Sequence, residues 1–187
     1  MLKEYWILHS KEYRMENSAI EISSTGKEAF EQGDFDKAVD LFDAAAEAYI
    51  QEGNLVDAAE AKNNLSVALL QTQRAEESLK AALETDVVFE EANDPLRQAM
   101  ALGNQAAALD ALGRLDEALA LYESSAALFG GINEKDYQAT VLKSIAGIKL
   151  RKGKFQDTAY TMLDSLGAAP KPNIFQRILK FFLRLIR

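Results

Sequence analysis

Apolar residues along this chain recur at intervals of three and four within blocks about one helix long, and short polar interruptions separate the blocks. That spacing lines one face of an α-helix. It predicts helices over 17–32 and 35–52, 55–72 and 75–90, 96–112 and 115–129, and 134–152 and 155–166. The interruptions carry helix-stop and N-cap chemistry at Gly53-Asn54, at Asn93-Asp94-Pro95, and at Gly130-Gly131 followed by Asn133. Pro170 and Pro172 close the helical series, and residues 1–16 form an N-terminal extension whose pattern decides nothing. Met15, just ahead of the first helix, is an alternative start. The class is all-α.

The helices repeat. The strings GDFDKAVDLF from Gly33, GRLDEALALY from Gly113 and GKFQDTAYTM from Gly153 stand at whole multiples of 40 residues, and QRAEESLKAA from Gln73 fills the gap. Each of the four units reads as two helices joined by a tight turn, and glycine there suits the left-handed end of a helix. Gly26, Ser66, Ala106 and Ala146 share one register, while Ala38, Ser78, Ala118 and Thr158 share another; all eight are small. Helices approach closely where facing side chains are small, so these registers mark the contact inside each unit. Phe35, Leu115 and Phe155, with Phe42, Tyr122 and Met162, fill the large registers and are expected in the core.

A small residue, a turn glycine, an apolar residue, D/E-x-A and then an aromatic make a pattern that resembles the tetratricopeptide repeat from about Ser18 to Pro170. The 40-residue period exceeds the usual ~34 and is similar to the extended repeats of kinesin light chains and bacterial peptide-sensing regulators. Armadillo and HEAT repeats have comparable periods but lack the glycine-turn signature. The resemblance implies a right-handed superhelical array of four helix-turn-helix repeats at about 17–52, 55–90, 96–129 and 134–166, within a domain spanning 17–169. A short Pro-flanked linker at 170–172 and a C-terminal amphipathic helix at 173–187 would follow.

In such arrays the first helix of each repeat lines a concave groove that binds partners. One register of that groove reads Ser24, Asn64, Asn104 and Ser144. The strings NNLSVALL and LGNQAAAL resemble the asparagine-bearing helices of peptide-binding members of the family. An asparagine amide offers a donor and an acceptor together, matching an extended peptide backbone. The competing explanation is that these are exposed polar positions or inter-helix hydrogen bonds. Lys27, Asn63, Lys143 and Arg151 are adjacent candidates, and Val67, Leu70, Ala107 and Ala111 make the groove's middle small or apolar. This arrangement departs from the central Lys/Asn/Arg clamp with which chaperone-binding relatives hold a terminal carboxylate. The expected function is a non-enzymatic adaptor for a protein or peptide partner. The alternative is a structural or assembly subunit of a larger complex, held through the ends of the array or its tail.

Composition narrows the chemistry. The absence of cysteine removes disulfides, zinc fingers and thiol nucleophiles. The single histidine, His9, lies apart from any carboxylate cluster. No glycine-rich phosphate loop, HExxH or nucleophile elbow appears, so no catalytic residue, metal ligand, cofactor or small-molecule substrate is assigned. The net charge of −8 opposes contact with nucleic-acid phosphates. Tyr5-Trp6-Ile7-Leu8 is too short for a signal-peptide core, and no stretch approaches the ~20 apolar residues of a membrane span. A cytoplasmic location is expected, or one on the cytoplasmic face of a membrane.

The segment NIFQRILKFFLRLIR changes that picture at one end. Asn173 is its expected N-cap, with Gln176 as the capping-box partner. Arg177, Lys180, Arg184 and Arg187 are its only charges; with these four positive charges set apart, the net −8 becomes −12 for the rest of the chain. On a helix they fall within an arc of roughly 80°, and apolar residues including Phe175, Ile178, Phe181, Phe182 and Leu185 cover about 200°. Three destinations fit: an anionic membrane surface, the apolar flank of the last repeat, or a partner.

Overall fold

The computed structural model describes residues 18–153, 161–162 and 164–165. Among them the chain forms eight helices and no strand: α1 (Ala19–Glu31), α2 (Phe35–Gln51), α3 (Leu55–Gln71), α4 (Ala75–Ala82), α5 (Thr85–Glu91), α6 (Pro95–Ala111), α7 (Leu115–Gly131) and α8 (Lys135–Arg151). The expected helix 75–90 is two helices. Most of the expected helix 155–166 lies outside the described residues, as do 1–16, the linker 170–172 and the helix 173–187.

The turns follow a period of half a repeat. Positive φ occurs at Gly33, Gly53, Gln73, Asn93, Gly113, Asn133 and Gly153, every 20 residues. At Gly33 the turn is a Schellman motif, with the Gly33 N–H on the Phe30 carbonyl (3.0 Å) and the Asp34 N–H on the Ala29 carbonyl (2.9 Å). The same bonds recur at Gly53, Gln73, Asn93, Gly113 and Asn133, so the turns within repeats and between them are alike. After Gly33, Gly53, Gln73, Gly113 and Asn133 the next residue stands at the N-cap of the following helix. Asp34, Asn54 and Asp94 accept from the backbone N–H of Lys37, Asp57 and Arg97. Arg74 and Arg114 instead clasp Glu77 and Glu117 three residues on, with N–O distances of 2.8 and 2.6 Å in each pair.

The chain divides into two compact units, residues 1–97 and 98–187, with the cut in the first turn of α6. In the first unit α2 packs against both α1 and α3, and α3 also against α4 and α5. Burial of α2 is accordingly wide: Ala38, Val39, Leu41, Phe42, Ala44, Ala45, Ala46, Ala48 and Tyr49 all leave solvent. In the second unit α7 packs against α8.

The small-residue registers sit at the helix contacts. Gly26, Ala38, Ser66, Ser78, Ala106, Ala118 and Ala146 are all buried; Thr158 lies outside the described residues. In the second repeat Ser78 donates to the Ser66 carbonyl (2.9 Å), and the two hydroxyls are 2.8 Å apart. In the first repeat a Cβ on Gly26 would stand 2.9 Å from the Phe42 ring, so the ring occupies room that only glycine leaves. A further register, Ala19, Ala59, Ala99 and Ala139, is buried in the first turn of each repeat. The hydroxyls of Ser125 and Ser165 donate to the carbonyls of Ala99 (2.7 Å) and Ala139 (3.0 Å).

Thr85 shares the register of Ser125 and has another role. Its hydroxyl reaches the Ala82 carbonyl (2.7 Å) and Asn63 Oδ1 (3.3 Å). The chain breaks there between α4 and α5, with Glu84 left-handed at φ 64°. The side chain of Thr85 takes up the carbonyl at which α4 ends, and β-branched Thr85, Val87 and Val88 weaken helix continuation. Phe89, beyond the break, is fully buried.

The large registers are only partly core. Phe42 and Tyr122 are buried, whereas Phe35 and Leu115 are half-buried at the first position of their helices. Met162 is 43% exposed. Phe155 lies outside the described residues. No helix among the described residues is long and apolar enough to cross a membrane.

Candidate interaction site

Residues at 57, 60, 64 and 67 of α3 and at 20, 23, 24, 27 and 30 of α1 project along one seam of the first unit, because i, i+3 and i+4 positions share a helix face. Two cavities lie along that seam. One, of about 320 Å³, is lined by Ile20, Ser23, Ser24, Lys27, Tyr49, Asp57 and Glu60. The other, of about 180 Å³, is lined by Lys27, Phe30, Glu31, Phe42, Asn64 and Val67. Lys27 borders both.

Fixed charges hold the seam in place. Lys27 Nζ lies 3.1 Å from Glu60 Oε1, and Glu60 Oε2 accepts from Arg97 Nη1 at 3.2 Å. Arg97 is anchored in turn by Asp94, through Nε at 2.6 Å, and by the Phe89 ring, whose centroid is 5.2 Å from the guanidinium. The Asp94 carboxyl is held below its ordinary value, first by the backbone N–H of Arg97 and then by the guanidinium, against the opposing effect of burial. Each exposed pair contributes only about 0–1 kcal/mol, so their role is to fix the geometry of the rim. Burial, followed by the negative charges of Asp57, Glu60 and Glu52, pushes the Tyr49 hydroxyl upward in pKa, and the hydrogen bond with Ser23 opposes this. Tyr49 is therefore a neutral phenol at the cavity floor.

Asn64 differs from its neighbours. Its Nδ2 is buried and has no hydrogen-bond partner among the described residues. A buried donor left unpaired costs about 1–3 kcal/mol. Asn63, one residue earlier, is buried and accepts from Thr85, on the other side of α3 from the open seam.

Four of the expected groove residues, Ser24, Lys27, Asn64 and Val67, thus meet at these cavities. In the second unit Asn104 is half-buried, Lys143 is exposed, and Arg151 Nη2 is bound to Asp110 at 2.6 Å. Ser144 is half-buried and hydrogen-bonded to Tyr122, whose hydroxyl is raised in pKa by burial and lowered by that bond. The expected tail residues Phe175, Arg177, Ile178, Lys180, Phe181, Phe182, Arg184, Leu185 and Arg187 lie outside the described residues. Sequence reasoning missed Asp57 and Glu60, although they lie two turns and one turn before Asn64 on its face of α3. It also missed Tyr49 and Phe30, and it assigned Phe42 to the core alone.

Hairpins with a common turn, a common 40-residue spacing and a shared small-residue contact define an all-α helical-repeat fold. Residues 24–86 match the family model described as tetratricopeptide repeat. Among solved structures the chain is similar to aspartyl phosphate phosphatase F from Bacillus subtilis, with 14% identity and a TM-score of 0.76; the match covers 89% of this chain and 44% of that one. It is also similar to a putative kinesin light chain of Podosopora anserina with nearly identical TPR-like repeats. A point-mutant form of that protein has 12% identity and a TM-score of 0.70, covering 89% of this chain and 92% of that one. A second structure of it gives 12% and 0.69, covering 90% and 84%. The chain therefore spans less than half the length of the phosphatase it resembles. No curated protein matches the sequence. The fold is that of tetratricopeptide-like helical repeats, and the family model itself matches residues 24–86.

Proposed function

We propose that this chain is a non-enzymatic adaptor that holds an extended peptide of a partner protein along the face made by the first helices of its repeats. The observation carrying this reading is the meeting of Ser24, Lys27, Asn64 and Val67 at two adjoining cavities, with an unpaired amide on Asn64. Polar groups spaced along a seam with apolar floors are what a peptide backbone and its alternate side chains require. Asn104, Lys143, Ser144 and Arg151 extend the same role into the second unit. The cationic helix expected at 173–187 would add a tether to an anionic membrane surface, on the cytoplasmic side. Its support is the sequence alone, and co-sedimentation of the full chain with anionic vesicles, lost on truncation at Pro172, tests it.

The test of the adaptor reading is affinity capture with the full chain beside the double variant Asn64→Ala/Asn104→Ala. A partner retained by the wild type and lost by the variant, with circular dichroism and melting unchanged, supports the reading. Equal retention by both places recognition elsewhere and overturns it.

A further inference from the structure

The second repeat departs from its neighbours at one peptide. α2 and α7 each run unbroken for 17 residues, whereas the equivalent stretch 75–91 divides into α4 and α5. The break shifts no register. Ser78, Ala82, Thr85 and Phe89 are buried, and so are the residues 40 positions before them in α2 and 40 positions after them in α7. Backbone geometry explains why. Leu83 stands at φ −55°, ψ 138° and Glu84 at φ 64°, ψ −1°, near the roughly −60°, 120° and 80°, 0° of a type II turn. Turning over the one peptide plane between these residues leads to about −60°, −30° and −90°, 0°, the type I pair, from which a right-handed helix continues.

Side chains at the break fit both arrangements. In the third and fourth repeats the hydroxyls of Ser125 and Ser165 donate to carbonyls 26 residues back, those of Ala99 and Ala139. Thr85 holds the same position, and the carbonyl 26 residues before it belongs to Ala59. Its hydroxyl goes instead to the Ala82 carbonyl and to Asn63 Oδ1. Asn63 is the local cause. The third repeat has Gly103 at that position, where a Cβ would lie 3.5 Å from the Ser125 hydroxyl, whereas Asn63 puts a side chain there and offers an acceptor. In the first repeat the position of Thr85 is held by Ala45, which has no hydroxyl, and α2 is continuous. The broken form keeps Glu84 left-handed, a conformation that is costly for a residue with a Cβ. A carbonyl has two lone pairs, so that of Ala59 can accept from Thr85 and from its own helix together. We infer that α4 and α5 form a two-state switch worked by a flip of the Leu83–Glu84 peptide. In one state the helix breaks and Asn63 holds Thr85; in the other the helix runs unbroken and Thr85 donates to the Ala59 carbonyl. The same residues stay buried in both, so the second repeat gains or loses a joint without repacking its core.

Nuclear magnetic resonance of the full chain labelled with ¹³C and ¹⁵N tests this. Amide relaxation dispersion, which reports exchange between microseconds and milliseconds, is expected over 82–88 and not over 42–48 or 122–128. Carbon shifts of Leu83 and Glu84 tell which state prevails. Asn63→Ala removes the acceptor that holds the break, and Thr85→Ala gives the second repeat the alanine that the first has at this position. Each should raise the unbroken population about tenfold. Glu84→Gly relieves the left-handed position and should lower that population at least about tenfold, flattening the dispersion. Should one alanine variant fail to fold, the other carries the test. Left-handed shifts retained at Glu84 in every alanine variant that folds, or dispersion as strong over 42–48 and 122–128 as over 82–88, overturn the switch.

Discussion

The contacts α2–α3 and α7–α8 are built on the same positions of the repeat and bring different groups together. At these positions of the third and fourth repeats stand Ala106 of α6, Tyr122 of α7 and Ser144 of α8, where burial raises the Tyr122 hydroxyl in pKa and a hydrogen bond with Ser144 opposes it. In the first two repeats stand Gly26 of α1, Phe42 of α2 and Asn64 of α3, with the ring set back against the glycine, an Asn64 amide without a hydrogen-bond partner among the described residues, and an adjoining cavity. The two contacts differ at three positions, each by a few atoms. A repeat protein can thus keep one hairpin geometry throughout and still make one contact chemically unlike another.

The largest expected effect comes from returning a Cβ to the open contact. Gly26→Ala places a methyl 2.9 Å from two atoms of the buried Phe42 ring. Overpacking of this kind costs about 1–3 kcal/mol, partly offset by the ~1 kcal/mol gain in helix propensity. A net loss of about 0–2 kcal/mol in urea unfolding is expected, whereas a variant more stable than wild type would mean that the ring moves freely. Next in size is the exchange of hydroxyls between the contacts. Tyr122→Phe should lose about 1 kcal/mol and Phe42→Tyr should gain about 0.5–1.5 kcal/mol. Changes of the same sign in both variants would break the comparison.

The far end of the charge chain that borders the seam should carry a pH signature that the two contacts lack. Asp94→Ala removes the cap of α6 and the anchor of Arg97, for about 1 kcal/mol at neutral pH. Because the folded Asp94 carboxyl titrates below its unfolded value, its contribution is present above the ordinary value of about 3.9 and lost as pH falls through the lower folded one. Wild type and variant should converge in stability at acidic pH. A difference that persists there would assign the cap's effect to packing.

Much of this architecture was legible in the sequence because its determinants are local. Glycine or asparagine after each apolar block gave the turns, and the small registers gave the helix contacts, since both depend on residue type at fixed spacing. Gln73 was harder, because a left-handed glutamine has no local signature. The break at Glu84 was hidden for a related reason: the pattern through Leu79, Ala82 and Phe89 remains helical, and only the tertiary bond from Thr85 to Asn63 marks the interruption. At the candidate site the polar register predicted Asn64 but not its unpaired state. That state depends on an atom Phe42 lacks in another helix, and on Gly26 in a third. Such a deficit becomes visible only when three helices are placed together.

Equilibrium unfolding of Asn64→Ala beside Ser144→Ala tests the difference between the two contacts most directly. Removing a side chain whose amide has no partner should leave stability within about 0.5 kcal/mol of wild type or above it, whereas removing the hydroxyl bonded to Tyr122 should cost about 1 kcal/mol. Equal losses in the two variants would show that Asn64 is satisfied in the folded protein and would contradict the account.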